Sequence, residues 1–185
     1  YQLTLTYFSF RQLLAVTLFS IGLIDRHVNL SGNYQSLEFL LSTTVYFVIG
    51  FYLLALTLIK QQIPHSFTLL SAILMDVFFC LVCMHFSGGF GTGLGILLLS
   101  PIAIAGIFFY GVFAFFVAAI STLGLLLHVF WNSFSNPEQM KYFVPAGLLG
   151  ILFFTASLVT QLVAKHIRKT ELLITEQHTI TEKLE

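Results

Sequence analysis

The chain has 185 residues, of which 57% are hydrophobic and 9% charged, and its mean hydropathy is +0.93. A water-soluble domain of this size carries charge on roughly a quarter of its residues, so the composition excludes one and makes lipid the solvent. The eight basic and eight acidic residues cancel, which leaves no basic stripe to displace phosphate counterions and excludes nucleic-acid binding.

A helix crossing about 30 Å of hydrocarbon needs about 20 apolar residues. Runs of that kind predict spans at about 7–24, 37–59, 67–86, 94–110, 112–131 and 143–164. Five spans are an alternative, because the fourth and fifth meet at Tyr110 and Gly111 with almost no loop. The expected fold is an all-α integral membrane protein, a six-transmembrane-helix bundle over residues 1–164 with a cytoplasmic C-terminal signalling helix over 165–185. The chain starts at Tyr1 without methionine and stops inside a helical pattern, so it is read as a piece of a longer protein.

Arg11 interrupts the first span and is expected to snorkel to the headgroups. By the positive-inside rule, Arg11, Lys60, Lys165, Arg168 and Lys169 outvote Arg26 and Lys141 and place both termini in the cytoplasm. Tyr34, Trp131 and Tyr142 then fall near the outer interface and Tyr110 near the inner one.

Asp76 is the one acid in the middle of a span. Carrying it there charged costs about 2.5–3.5 kcal/mol, so it is expected to face protein, be protonated, or both. Tyr46, Ser100, Ser121, Thr122 and Thr155 lie at similar depth as hydrogen-bond partners, and no intramembrane Lys or Arg is expected as a counter-ion. Asp76 is read either as a sensing contact or as helix glue, and Asp76→Asn is expected to fold. Cys80 and Cys83 share its face and read as small buried residues, since no ligand set for a metal accompanies them. His85, at the outer end of the same helix, is a polar intramembrane candidate for sensing, although a simple interfacial hydrogen bond is the commoner role.

Ser87, Gly88, Gly89, Gly91, Gly93 and Gly95 form the strongest local signal, a glycine-rich hinge between the third and fourth helices. The stretch lacks the context of a nucleotide-binding loop. Pro101 is expected to kink the fourth helix and free a carbonyl near Leu97. Gly111, Ala114, Ala118 and Ser121 on the fifth helix, and Gly147 with Gly150 on the sixth, read as packing surfaces. Half of the charged residues lie in 165–185, on a continuation of the sixth helix. There Leu173, Ile180 and Leu184 mark a mixed heptad seam for a homodimer.

The arginine in the first helix, Asp76 in the third, and Met84-His85-Phe86-Ser87-Gly88-Gly89 running through Gly91, Gly93, Leu94 and Gly95 to Leu97-Leu98-Leu99 resemble the six-helix membrane domain of PilS-type sensor histidine kinases. Gln161 to Arg168 fits that family's exit helix toward a PAS domain. The resemblance implies a sensory input module of a two-component system that controls type IV pilus (pilin) genes in the bacterial inner membrane. It implies membrane lipids, pilin as ligand, a homodimer and a PilR-type response regulator as partners. No catalytic residue, metal or cofactor is expected in this chain; ATP and Mg would serve the kinase region beyond it. The competing class is a small transporter or channel component using Asp76.

Overall fold

The computed structural model describes residues 2–28, 36–60, 66–109 and 111–182, with the side chains of 5–24, 37–56, 58–59, 68–109, 111–134 and 136–170. Tyr34, His65, Tyr110 and Leu184 lie outside the described residues, and Leu173 and Ile180 are described in backbone only. The described residues form six α-helices and no strand: α1 (Gln2–Val28), α2 (Ser36–Lys60), α3 (Ser66–Phe86), α4 (Leu99–Phe108), α5 (Val112–Ser135) and α6 (Phe143–Glu182). Five are long and apolar enough to cross a bilayer, and Leu94–Phe108 is a shorter apolar helix. The architecture is an all-α membrane bundle.

α1 packs chiefly on α2, whereas α6 packs on α5 and α4, and α3 stands between the hairpin and this second group. The main core follows that middle position. Ile73, Val77 and Met84 of α3 meet Leu98 and Ile102 around α4, Val117 and Leu125 of α5 and Phe153 of α6. A bundle surrounded by lipid gains little from burying apolar surface, so close backbone approach decides how its helices pack. Gly106 of α4 lies so near Thr160 of α6 that a Cβ there would meet its side chain, and Gly150 of α6 lies likewise against Thr122 of α5. Ala114, Ala118 and Ser121 are fully buried as expected. Gly147 has open space beside it and is not a packing contact.

Two expectations about the fourth helix need correction. Leu94–Leu98 is a 3-10 segment that passes into α4 at Leu99, so Pro101 falls in the first α-helical turn, where a missing N–H costs nothing. The carbonyl of Leu97 is not freed, because the Leu99 N–H reaches it and that of Ile96. The helix type therefore changes at Leu98–Leu99, ahead of Pro101, which sits in the first α-helical turn as a starting residue.

A buried ion pair as the candidate functional site

α1 begins at Gln2, which puts Arg11 in its third turn, well inside the helix. Tyr7, Arg11, Ala15 and Leu18 follow one another at spacings of four, four and three, share a face, and are all buried. That face turns toward α3. Arg11 Nε lies 2.8 Å from Oδ1 of Asp76. The Tyr7 hydroxyl donates to Oδ2 of Asp76 at 2.6 Å, and the Tyr46 hydroxyl of α2 donates to Oδ1 at 3.2 Å. The Arg11 guanidinium carbon also sits 5.0 Å from the centroid of the Tyr46 ring, within range of a cation–π interaction. Phe79 backs the same ring at 5.0 Å.

These contacts overturn the expectation that Arg11 snorkels and that Asp76 has no counter-ion. Arg11 is 2% exposed and Asp76 5%, so both charges leave solvent together. Their mutual attraction offsets desolvation that neither could bear alone. Tyr46 joins Asp76 as the sequence suggested. Ser121, Thr122 and Thr155 do not, since each hydroxyl donates to a carbonyl of its own helix. Tyr7 was missed, although its spacing of four from Arg11 was the available signal.

The two partners are unequally satisfied. Asp76 receives two hydroxyl hydrogen bonds and a cation. The Arg11 contact is an ion pair without hydrogen-bond alignment, and its Nη1 and Nη2 atoms have no hydrogen-bond partner. A buried donor without an acceptor is costly, so the cation is the weaker member of the joint between the α1–α2 hairpin and α3.

The glycine-rich stretch is an ordered cap. Ser87 N–H donates to the Cys83 carbonyl as the last α-type bond of α3, and Gly89 N–H reaches back five residues to the Met84 carbonyl, the long bond of a Schellman-type closure in which Gly88 takes a positive φ of +98°. Ser87 Oγ and Thr92 Oγ1 lie 3.0 Å apart, and Thr92 Oγ1 donates to the Gly89 carbonyl. Phe90 packs on Tyr142, whose hydroxyl lies close to Gly91, and Gly95 sits beside Leu149. His85 is exposed and meets His128 of α5. Cys80 and Cys83 are buried and free. Among the described residues no three His, Cys, Asp or Glu side chains converge.

At the opposite end of the bundle, α6 completes the corner between α4 and α5. Were α4 to continue in helical register, Gly111 N–H would donate to the Ile107 carbonyl. Instead Gly111 N–H donates to Gln161 Oε1 at 2.9 Å, and Arg168 Nη2 donates to the Ile107 carbonyl at 2.6 Å. Two side chains of α6 thus replace both halves of one missing backbone bond.

A multi-pass helical membrane protein with an intramembrane ion pair and one long emergent helix is the class these features define. The family model described as a PilS-like transmembrane domain matches residues 3–174, and the chain belongs to that family. It is 34% identical over 137 residues to the "Sensor protein kinase PilS" of Pseudomonas aeruginosa, which covers 72% of this chain and 26% of that protein. The chain therefore spans about a quarter of the relative's length. No solved structure matches it significantly.

Proposed function

We propose that the chain is the sensory input domain of an inner-membrane sensor histidine kinase that controls type IV pilin genes. The observation that carries this reading is the family match across nearly the whole bundle. The geometry adds a route by which such a domain acts. α6 is one continuous helix of 40 residues, about 60 Å long, and it leaves the bundle while held to the α4–α5 corner. A change of packing among the helices would reach residues beyond 164 as movement of that helix.

In this reading the under-satisfied Arg11–Asp76 joint holds the α1–α2 hairpin in one of two packings, and pilin in the membrane is the ligand that shifts the balance. Both termini face the cytoplasm. With Arg11 withdrawn from the flanks, Lys60, Lys165, Arg168 and Lys169 still outnumber Arg26 and Lys141. Residues 165–185, with Leu173, Ile180 and Leu184, form a homodimer seam leading to PAS and kinase regions, where ATP and Mg serve autophosphorylation and a PilR-type regulator receives the phosphate. The transporter alternative loses its main support, because Asp76 is already neutralised by Arg11.

The test is to replace residues 1–164 in the full-length parent with an unrelated six-helix anchor and to follow a pilin-promoter reporter while pilin level is varied. The response to pilin should disappear while autophosphorylation persists. A retained response would place sensing elsewhere.

A further inference from the structure

At the end of the bundle where α6 emerges, α1 and α4 leave a groove of about 320 Å³ between them. Tyr7 and Phe108 meet at its back with ring centroids 6.2 Å apart, and Phe10 and Ile107, 45% and 38% exposed, form its lips. The lining is apolar apart from the hydroxyls of Thr6, Tyr7 and Ser100. On α4 the groove reaches from Ser100 to Phe108, about 12 Å along the axis at 1.5 Å per residue. That is less than half of the roughly 30 Å of hydrocarbon in a bilayer, so the groove belongs to one leaflet. A partner's transmembrane helix would need a surface running the whole depth, whereas an acyl chain enters from one side only.

The mouth of the groove carries positive charge. Arg168 of α6 donates from Nη2 to the carbonyl of Ile107 at 2.6 Å, so the residue that forms one lip of the groove also anchors the guanidinium. A guanidinium has five N–H donors in a planar fork that matches phosphate oxygens, and the bond to Ile107 orients that fork without spending its charge. Lys165 and Lys169 flank it, and all three basic side chains are exposed. Residues 165–171 hold these three positive charges against one acid, Glu171. An apolar slot one leaflet deep with a basic mouth is complementary to a lipid that has an acyl tail and an anionic head.

We propose that the α1–α4 groove and Arg168 form a binding site for an anionic phospholipid of the leaflet on the exit-helix side. One acyl chain lies between Phe10 and Ile107, the phosphate pairs with Arg168, and Lys165 and Lys169 add to the attraction. The acyl chain rests against Tyr7, which donates to Asp76, so an occupied groove supports the arginine–aspartate joint from its lipid side. The site is independent of the sensor reading, because it depends on the groove and the basic cluster alone.

Trp131, the chain's single tryptophan, lines a different groove between α3 and α5 and serves as the internal control. A reporter chain carries Phe10→Trp together with Trp131→Phe. Parent and reporter are reconstituted in mixed phosphatidylcholine and phosphatidylglycerol vesicles with one or the other lipid brominated in its acyl chains, and tryptophan quenching gives the preference for phosphatidylglycerol at each position. The preference should be about fivefold at position 10 and near one at Trp131. Arg168→Gln in the reporter should remove most of it, and Glu138→Gln, at the other end of the bundle, should leave it unchanged. Ala103 lines the groove, so Ala103→Leu and the larger Ala103→Phe fill it and should each lower the preference, with helix content confirming the fold. Equal preference at the two positions, or a preference that survives in folded Arg168→Gln or after groove filling, would show only diffuse attraction of anionic lipid to the basic flank and overturns the site. An indole at position 10 that neither lipid quenches would mean that protein covers the groove, which overturns it as well.

Discussion

The Arg11 guanidinium of α1 and the Asp76 carboxylate of α3 meet at 2.8 Å inside the bundle, both almost wholly buried. The hairpin of α1 and α2 is otherwise joined to the remaining helices mainly through α2 and α3. One ion pair and the two tyrosines around it therefore carry much of what is specific in that junction. An ion pair of this kind adds little stability over a well-packed apolar pair, but stranding either partner is expensive.

Arg11→Ala and Asp76→Ala should each lower stability by about 3–5 kcal/mol, measured as unfolding of the purified chain in mixed micelles with rising sodium dodecyl sulfate. Asp76→Asn should group with them, contrary to the tolerance its size alone suggests, because it turns one of the two oxygens that accept from Tyr7 and Tyr46 into an NH2 donor and leaves Arg11 uncompensated. The double variant Arg11→Met with Asp76→Leu should recover most of the loss. Simple addition of the two single losses in the corresponding double alanine variant would show that the residues are not coupled.

Tyr7→Phe should cost more than Tyr46→Phe. Both remove a hydroxyl donor to Asp76, at 2.6 Å and 3.2 Å respectively. Phenylalanine at 46 keeps an aromatic face under Arg11, so part of the cation–π attraction survives there. A loss of about 1–2 kcal/mol for Tyr7→Phe and less for Tyr46→Phe is the expected order, read from the same unfolding curves. The reverse order would mean that the carboxylate is held chiefly through α2.

The class of fold was legible in the sequence because twenty-residue apolar runs have one physical explanation. Asp76 was legible for a similar reason, since an acid amid Leu, Phe and Val must find a partner. Arg11 was misread because its depth was judged from the start of the apolar run at Tyr7, whereas helical hydrogen bonding extends α1 back to Gln2. The four-residue step from Tyr7 to Arg11, repeated to Ala15, carried the missing information. The α6 contacts with Ile107 and Gly111 were not legible at all, because their partners are backbone groups that any residue possesses.

Glycines in the same bundle should respond differently to one added methyl group. Gly106→Ala places a Cβ into the side chain of Thr160 and within 3.3 Å of the Ser157 carbonyl, and should cost about 1–3 kcal/mol by overpacking. Gly147→Ala meets nothing and should stay within about 0.5 kcal/mol of the parent. Thr160→Gly in the Gly106→Ala background should restore part of the loss. Equal effects at 106 and 147 would remove close α4–α6 approach as an explanation of the packing.

The α4–α5 corner offers the most direct test of how α6 is coupled to the bundle. Gly111 N–H and the Ile107 carbonyl are the two halves of one missing helical bond, and Gln161 and Arg168 supply their partners. Gln161→Ala removes the acceptor of Gly111 and the tie from Gln161 Nε2 to Ser157 Oγ. Arg168→Ala removes the donor to Ile107. If these bonds hold the corner to α6, amide hydrogen exchange at Gly111 should accelerate about five- to tenfold in Gln161→Ala, the equivalent of a hydrogen bond of about 1 kcal/mol. It should accelerate further in the double variant, because the corner then loses both ties. Lys169→Ala, one residue further along the same helix, should leave Gly111 exchange unchanged. Exchange at Gly111 that is indifferent to Gln161→Ala would mean that α6 passes the corner without gripping it, and that displacement of the exit helix must arise from its packing on α5.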